Sequence, residues 1–420
     1  MRILWINNIA IPKIARAVGM VEVPVGGWMV KLADELIKRE DIELAIAFPY
    51  TKNVDGTIDG VNYYSFNFHA SKVKIDNLGG QDQRIRDIIG KFSPDVIHIF
   101  GTEHPHSYAV TQVCKEFGMQ DKVVVSIQGI VSVITRHYCA HLDWKTIHAR
   151  TLRDFYKGNI SAEKKKFENA GKFEIETIKE VKHVLGRTDW DRACTKLINP
   201  FAKYHFNNEM LRDSFYTAPK WDIDKCQKYS IFFSQAVMPL KGLHLLLEAV
   251  TILKKDFPEI KVYIAGKSYY EKKTWKLSYY EKYILKYIKD KDLRDVVSFL
   301  GFLDEKSMCQ QYLKSHVFVS ASTIENSPNS VCESMILGVP TVSSMVGGVV
   351  NLLEHGTEGY YYQADAPYML AHYIEKIFND ENLAKQFSVC ARKRAQQRHS
   401  VSEIIEELSG VYTEIYSEKE

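Results

Sequence analysis

Short apolar runs alternate with longer amphipathic stretches along most of the chain. In the first half, apolar runs predict strands at 2–6, 42–48, 96–100, 123–127 and 183–185, and the stretches between them predict helices such as 28–39 and 107–117. In the second half, strands are predicted at 230–234, 261–265, 296–300, 317–320, 341–343 and 359–362, with helices at 243–255, 305–315, 329–337 and 381–398. Strands that alternate with helices are typical of parallel sheets built from βαβ units. The pattern therefore predicts an α/β protein with two Rossmann-like, doubly wound domains.

A polar stretch separates the two α/β series. Residues 206–228 include a proline and show weak hydrophobic periodicity, which indicates a linker. We therefore predict one domain at 1–205 and a second at 225–398, followed by a last helix at 401–417.

Length and composition agree with two globular domains. The chain has 420 residues, of which 45% are hydrophobic and 25% charged, and its net charge is +3. A net charge this small gives no reason to expect a nucleic-acid partner. The seven scattered cysteines show no CxxC pair or metal-ligand spacing, so we expect reduced thiols, a cytoplasmic location, and no metal or cofactor. The N-terminal run favours a strand over a signal peptide, and no apolar run approaches the ~20 residues of a membrane-spanning helix.

Two segments interrupt the α/β pattern. Residues 141–182 form a lysine-rich insertion that is predicted to be helical, and residues 267–290 alternate lysine with tyrosine. A solvated helix face is the simpler interpretation of both segments. The alternative is an interfacial surface that binds anionic lipid on the inner face of the membrane.

The most informative stretch is STIENSPNSVCESMILGVPTVSSMVGGVVNLLEHGTEG. It carries Glu325 and Glu333, and the second glutamate lies in a helix that follows a strand and a polar loop. Ligands of doubly wound folds bind outside the carboxyl ends of the strands. Backbone N–H groups near Asn329 and Ser330, together with the helix dipole, suit a diphosphate.

The same stretch resembles the E-x7-E signature of retaining GT-B glycosyltransferases of family 4, in particular bacterial members that build surface polysaccharides. This resemblance covers essentially the whole chain. It implies two Rossmann-like domains that face each other across a cleft, with the N-terminal domain binding the acceptor and the C-terminal domain the nucleotide sugar. It also implies that the last helix, about 401–420, packs back on the first domain.

The resemblance implies roles for the residues of this stretch. Glu333 would bind the donor ribose, and Glu325 would face the donor hexose. Backbone amides of Asn326, Ser327 and Asn329 would hold the sugar, and those near Asn329 and Ser330 the phosphates. Gly266, Phe302 and Leu303 resemble the end of the pocket that binds the nucleotide base.

A second motif, SQAVMPLKGLHLLLEAV, places Lys241 in a loop before an amphipathic helix. The resemblance implies that Lys241 meets the diphosphate, and a flexible ammonium suits phosphate. The family's usual arginine is replaced here by Ala236, so one of two expected cations is missing.

The remaining candidates lie in the first half. Gly26 and Gly27 precede a helix and resemble the family's glycine-rich loop near phosphate and acceptor, although an ordinary tight turn explains them nearly as well. The acceptor candidates are Gln128, Glu103, His104, His137 and Arg187. Gln128 occupies the position of a histidine in many relatives and cannot titrate. The His104 and His106 pair could bind a metal, but such loop histidines are more often simple hydrogen-bonding residues.

The resemblance implies a retaining hexosyltransferase, which we expect to be metal-independent. Its donor would be a nucleotide-diphosphate sugar and its acceptor a glycan, a lipid-linked or another hydroxyl compound. A nucleotide-sugar epimerase of the same fold and a non-catalytic nucleotide-sugar-binding protein remain the alternatives. A glycogen-type phosphorylase would need a cofactor-lysine motif that we do not find.

Overall fold

The computed structural model describes residues 1–21, 27–236 and 238–418. The chain folds into two compact units, which we call unit 1 and unit 2. Unit 1 contains residues 1–133, 167–210 and 399–420, and unit 2 contains residues 134–166 and 211–398. Residues 134–166 thus group with the second unit, although they lie inside the range predicted for the first domain. The roles assigned to the two predicted domains stay predictions.

Unit 1 is built on a sheet of eight strands in the order β3-β4-β2-β1-β5-β6-β7-β8. Its strands are β1 (Arg2–Ile6), β2 (Glu43–Tyr50), β3 (Asp55–Ile58), β4 (Val61–Asn67), β5 (Val96–Phe100), β6 (Val123–Ser126), β7 (His183–Gly186) and β8 (Lys203–Phe206). Only the β3–β4 pair is antiparallel among the described strands of this sheet. The apolar pattern did not predict β3, β4 or β8.

Unit 2 is built on a parallel sheet of six strands in the order β11-β10-β9-β12-β13-β14. Its strands are β9 (Gln227–Phe233), β10 (Lys261–Ala265), β11 (Val297–Gly301), β12 (Ser315–Ser320), β13 (Thr341–Ser344) and β14 (Tyr360–Tyr362). All six correspond to predicted strands, with shifts of a few residues at some ends.

The helices follow the strands in the α/β order. Those up to residue 200 are α1 (Pro12–Ala17), α2 (Gly27–Leu36), α3 (Gln83–Phe92), α4 (Pro105–Glu116), α5 (Val131–His137), α6 (Trp144–His148), α7 (Leu152–Lys157), α8 (Ile160–Lys179) and α9 (Asp189–Ile198). The rest are α10 (Asp213–Thr217), α11 (Leu243–Leu253), α12 (Tyr279–Asp290), α13 (Glu305–Lys314), α14 (Asn329–Leu337), α15 (Pro367–Asn379), α16 (Glu381–Arg398) and α17 (Val401–Ser417). The insertion at 141–182, which was predicted to be helical, contains three helices, α6 to α8.

Both faces of the sheet in unit 1 are apolar. Ile3 and Trp5 belong to one buried cluster and Leu4 and Ile6 to another, because successive side chains of a strand point to opposite faces. A strand buried on both faces gives a continuous apolar run, which is why β1 could be predicted from the sequence. The doubly wound arrangement follows from helices covering both faces.

The last helix, α17, belongs to unit 1 through a buried polar contact. Trp5 Nε1 donates a hydrogen bond to the Tyr412 hydroxyl at 3.0 Å, and that hydroxyl lies 2.6 Å from His98 Nδ1. Burial lowers the pKa of His98 to about 3, so its imidazole is neutral and can accept the hydroxyl hydrogen. Tyr412 thus satisfies two polar groups in the core of the sheet.

Candidate functional site

The candidate site of unit 2 lies at the carboxyl ends of its parallel strands. A pocket there is lined by residues after β9 and β12, including Ser234, Gln235, Lys241, Ser322, Glu325 and Ser330. On the other side of β9, Gly266 follows β10 and pairs with Gly301 at the end of β11, and Gly266 N donates to Gly301 O at 2.8 Å. Phe302, which is exposed, and Leu303 come directly after Gly301. The predicted donor residues therefore lie along one edge of one sheet.

Lys241 and Glu325 form an ion pair in this pocket. Lys241 Nζ lies 2.5 Å from Glu325 Oε1, and the Ser322 hydroxyl donates to the same oxygen at 2.7 Å. Both charged side chains are mostly buried, at 22% and 14% exposure. Lysine carries three N–H donors, so the ammonium keeps hydrogens for a further anion.

Two glycines make close backbone contacts next to Lys241 and Glu325. Gly242 has φ +76°, and a Cβ atom there would overlap the Ala321 carbonyl at the end of β12. Gly347 has φ +50°, and a Cβ atom there would overlap the Glu325 carbonyl, which also accepts a hydrogen bond from Gly348 N at 3.1 Å. The Lys-Gly and Gly-Gly motifs thus fix the backbone on which the ion pair depends.

Glu333 lies inside α14 and is held by an arginine that the sequence analysis did not single out. Arg212 Nε and Nη2 donate to Glu333 Oε1 at 2.9 and 2.6 Å. The Tyr312 hydroxyl donates its hydrogen to Ser330 O at 2.9 Å and lies 3.5 Å from Glu333 Oε2. Because a hydroxyl has one hydrogen, Oε2 retains its capacity to accept from a ligand.

Burial and charge act in opposite directions on Glu333. Burial raises the pKa of this carboxyl, whereas the Arg212 guanidinium lowers it. The guanidinium also stacks over the Phe215 ring at 4.8 Å, which fixes its orientation. Arg212 therefore favours an ionised and oriented Glu333.

The start of α14 is open to an anion. The helix runs over Asn329–Leu337 after Pro328, and no described side chain caps it by a hydrogen bond. Asn329 and Ser330 are half-buried there, as is Ser327, whereas Asn326 is buried. Free N–H groups at a helix N-terminus suit phosphate oxygens.

Ala236 stands at the position of the family's arginine. It is buried, and its backbone makes two local hydrogen bonds. Its N–H donates to Ala265 O at 3.2 Å, and its carbonyl accepts a hydrogen bond from the buried Tyr269 hydroxyl. Among the described residues that line the pocket, Lys241 is the one with a positive charge.

The acceptor candidates of unit 1 follow neighbouring strands. Glu103 and His104 come after β5, Gln128 after β6 and Arg187 after β7, so all four lie at the carboxyl edge of that sheet. His104 Nε2 is 3.2 Å from Glu103 Oε1 and 3.3 Å from the amide nitrogen of Asn8. Arg187 is buried in an ion pair with Glu209.

Several polar atoms at this edge have no hydrogen-bond partner among the residues that the structure describes. They are both amide atoms of the fully buried Asn7, Thr102 Oγ1, Glu103 Oε2 and Gln128 Nε2. Buried polar groups are normally paired, so this set is typical of a ligand site. Asn7 and Asn8 were missed because an Asn pair after a strand is also an ordinary turn signal.

A buried glutamate adds a titratable group to unit 1. Glu174 accepts from Val131 N and Ser132 N, each at 2.8 Å, and from the Ser132 hydroxyl at 2.6 Å. Burial raises the pKa of Glu174 to about 7, although these hydrogen bonds lower it in part. No local pattern in the sequence indicates this residue, because Glu174 lies among many charges in a lysine-rich helix.

Two predicted residues stand apart from these groups. His137 is exposed and belongs to unit 2, where its carbonyl accepts from the Thr323 hydroxyl at 3.0 Å. Gly27 begins α2, and Gly26 lies outside the described residues.

The His104 and His106 rings stack 5.0 Å apart, and burial lowers the pKa of His106 to about 3.

Comparison with known proteins identifies the fold and the domain. Residues 218–394, which cover most of unit 2, match the family model described as "Glycosyl transferases group 1". The chain contains a group 1 glycosyltransferase domain. Its fold is GT-B, as the two parallel-sheet units and the similar solved structures show.

Two curated relatives illustrate the match. Spore coat protein SA of Bacillus subtilis (strain 168) is 24% identical over 187 residues, which cover 44% of this chain and 48% of that protein. The capsular polysaccharide biosynthesis glycosyltransferase CapM of Staphylococcus aureus is 23% identical over 221 residues, or 52% of this chain and 53% of that protein. The matches thus span about half the length of these relatives.

Solved structures resemble this chain over nearly its whole length. Sucrose-phosphate synthase from Thermosynechococcus elongatus has a TM-score of 0.70 at 13% identity, with 99% of both chains covered. Anabaena Alr3699/HepE in complex with UDP-glucose has a TM-score of 0.67 at 15% identity, with 99% of this chain and 100% of that chain covered. At these identities the likeness shows the fold alone.

The close approach at Gly347 gives a stability prediction. Gly347→Ala adds a side chain at positive φ, which costs about 1–2 kcal/mol, and overpacks the Glu325 carbonyl, which costs about 1–3 kcal/mol more. Gly356→Ala is the matched control, because Gly356 has φ +81° but open space around its Cβ position. Denaturant unfolding should therefore show a larger loss for Gly347→Ala. Equal losses for the two variants would mean that the contact with Glu325 does not constrain the loop.

Proposed function

We propose that this protein is a retaining glycosyltransferase that moves a hexose-type sugar from a nucleotide-diphosphate donor to a hydroxyl acceptor. The observation that carries the proposal is the pairing of Glu325 with Lys241, beside the open N-terminus of α14, inside a group 1 glycosyltransferase domain. A non-catalytic binding protein would not need a buried carboxylate and ammonium aimed at one pocket. An epimerase is disfavoured by the same ENSPNS and E-x7-E context.

In the proposed donor complex, each charged group has a separate task. Lys241 and the α14 amides near Asn329 and Ser330 bind the diphosphate, and Glu333 Oε2 accepts from the ribose hydroxyls. Gly266, Phe302 and Leu303 form the end that binds the base. Glu325 lies next to the hexose and, together with amides of the 326–329 loop, orients it.

The proposed reaction breaks the bond between the anomeric carbon and the diphosphate oxygen and forms a bond from that carbon to the acceptor oxygen on the same face. The acceptor proton passes to a leaving phosphate oxygen. Lys241 and the helix N-terminus stabilise the charge that grows on the diphosphate. The side chains at the carboxyl edge of unit 1, including Glu103, His104 and Gln128, are the proposed acceptor-binding groups.

Relatives and structural neighbours support the substrate classes. CapM is named for capsular polysaccharide biosynthesis, and solved neighbours are described in complex with UDP-glucose or with UDP and a glycan. By analogy, we infer a nucleotide-sugar donor and a glycan or lipid-linked acceptor in cell-surface polysaccharide synthesis.

The two glutamates should differ in their kinetic effects. Glu325→Gln keeps the shape and removes a charge that acts on the transition state, so kcat should fall by roughly two to three orders of magnitude. Glu333→Gln weakens a contact to the ribose, which does not change during transfer, so the donor KM should rise more than kcat falls. Steady-state kinetics with a donor identified by thermal shift would measure both.

The exposed Glu354 supplies the control, since Glu354→Gln should leave both constants unchanged. A normal kcat in Glu325→Gln combined with a lost kcat in Glu333→Gln would reverse the two roles. Unchanged kinetics in both variants would reject the site.

The proposed transfer does not use a metal ion. Lys241 and the helix N-terminus supply the positive charge that a divalent cation gives to diphosphates in other enzymes. Turnover at saturating donor should therefore persist in excess EDTA. Complete loss of turnover that manganese or magnesium restores would contradict this mechanism.

We further propose that the enzyme works at the cytoplasmic face of an anionic membrane. No described helix has the length and apolarity needed to cross a bilayer. However, α7 and the turn Thr274–Lys276, which contact each other in unit 2, expose large apolar side chains: Leu152 (67%), Phe155 (68%), Tyr156 (90%) and Trp275 (58%). Exposed basic residues lie among them: Arg150, Lys157, Lys273 and Lys276.

Hydrogen bonds join the two segments that form this apolar and basic patch. The Thr151 hydroxyl donates to Leu277 O at 2.7 Å, and Tyr279 N donates to the buried Asp154 carboxylate at 2.9 Å. Exposed aromatic residues beside lysine and arginine are typical of surfaces that insert into the headgroup layer of anionic bilayers.

Binding to vesicles would test the patch. The protein should bind vesicles that contain anionic lipid, and less so as salt rises, and Phe155→Ser with Trp275→Ser should weaken this binding. Phe201→Ser is the control, because Phe201 is 93% exposed but lies in unit 1. Equal binding by the patch and control variants, or no binding at all, would mean that the patch is a solvated surface.

A further inference from the structure

Two buried histidines and a glutamate meet at one end of the sheet in unit 1. His183 begins β7, His205 lies in the neighbouring strand β8, and Glu414 lies on α17. His183 Nδ1 is 3.0 Å from His205 Nε2, and His205 Nε2 is 3.6 Å from Glu414 Oε1. One potential ligand atom from each residue lies within 4.8 Å of the other two.

The ligand types suit a divalent metal. Both imidazoles are buried, and Glu414 supplies a carboxylate beside them. Metal ions bind neutral imidazole and ionised carboxylate. Glu414 Oε1 is buried and accepts no hydrogen bond among the described residues, although Lys203 Nζ lies 2.9 Å away.

A second carboxylate, that of Glu418, lies close to the His183 ring. His183 Nε2, on the far side of the ring from His205, is 3.3 Å from Glu418 Oε2. Metal-binding histidines usually direct their other ring nitrogen to a carboxylate, and Glu418 Oε2, which pairs with Lys182 Nζ at 2.7 Å, lies on that side of His183.

We propose that His183, His205 and Glu414 bind a zinc ion that ties α17 to strands β7 and β8. Zinc–ligand distances of ~2.0–2.2 Å in a tetrahedron separate neighbouring ligand atoms by about 3.3 Å, and the observed separations of 3.0 and 3.6 Å lie on either side of that value. Water completes the tetrahedron on the side where Glu414 is 38% exposed. The ion stabilises unit 1 and takes no part in transfer.

In this proposal, the Lys203 ammonium and the zinc ion compete for the Glu414 carboxylate. Its ammonium pairs with Glu414 in the absence of metal, and Glu418 Oε1, 3.8 Å away, offers it another partner when zinc displaces it. Removing the lysine should therefore strengthen zinc binding, whereas removing the glutamate should abolish it. These opposite effects distinguish a built site from chance binding at surface histidines.

The test uses the full-length chain, stripped with chelator and titrated with Zn²⁺ in a calorimeter. The wild type should bind one zinc per chain and melt at a higher temperature with zinc than without it. Glu414→Gln should lose the binding and the shift, Glu418→Gln should weaken binding about 10–100-fold, and Lys203→Met should tighten it. His205→Asn should behave like Glu414→Gln, but its buried position makes the half-exposed Glu414 the safer variant.

The control is His372→Asn, which removes an exposed histidine of unit 2 and should leave zinc binding unchanged. The proposal is overturned if the wild type binds no zinc, if Glu414→Gln binds it as well as the wild type, or if Lys203→Met binds it more weakly. Circular dichroism of each apo variant establishes that a loss of binding is not a loss of fold.

Discussion

The candidate site of unit 2 depends on two backbone contacts that a side chain would prevent. Gly242 packs against the Ala321 carbonyl, and Gly347 packs against the Glu325 carbonyl. The first contact fixes the loop that carries Lys241 relative to the end of β12, and the second fixes the loop that carries Glu325. Because both partners of the ion pair stand on constrained backbone, their 2.5 Å contact requires ordering of the two side chains but not of the loops that carry them.

The charges of the same candidate site are balanced within unit 2. Each glutamate of the E-x7-E pair has its own cation: Lys241 for Glu325 and Arg212 for Glu333. A buried carboxylate without a partner would become protonated, and it would then lose its capacity to accept two hydrogen bonds from a sugar. Preorganised charges of this kind favour catalysis because little reorganisation is needed during the reaction.

The sequence predicted most of the fold where burial leaves a clear apolar pattern. Strands β1, β5 and β10 and helices α14, α16 and α17 have the predicted bounds. The strand Val61–Asn67 was missed, because its polar and aromatic residues break the apolar run. The insertion at 141–182 was predicted to be helical, but the turns between its three helices were not predicted, since its many lysines hide them. The segment 134–166 groups with unit 2, where Thr151 and Asp154 make hydrogen bonds to residues more than a hundred positions away.

Sequence reasoning singled out candidate site residues that share one motif and did not single out those that are assembled from distant segments. Glu325, Glu333 and Lys241 stand in recognisable motifs, and the structure brings Glu325 and Lys241 together. Arg212 lies in the polar stretch that was read as a linker, and only the fold brings it to Glu333, 121 positions later. No local pattern distinguishes such an arginine from an ordinary solvated one.

Unit 1 also depends on a segment that is distant in the sequence, the last helix α17. Without Tyr412, Trp5 N–H would be buried in the sheet without the partner that it has here, and His98 would lose a 2.6 Å contact. A buried donor without a partner costs about 1–3 kcal/mol, a large part of the stability of a typical domain. Since α17 follows all of unit 2 in the chain, unit 1 cannot complete its core until α17 has been synthesised. The buried polar groups Trp5 and His98 therefore find a partner on a segment that is far away in the sequence.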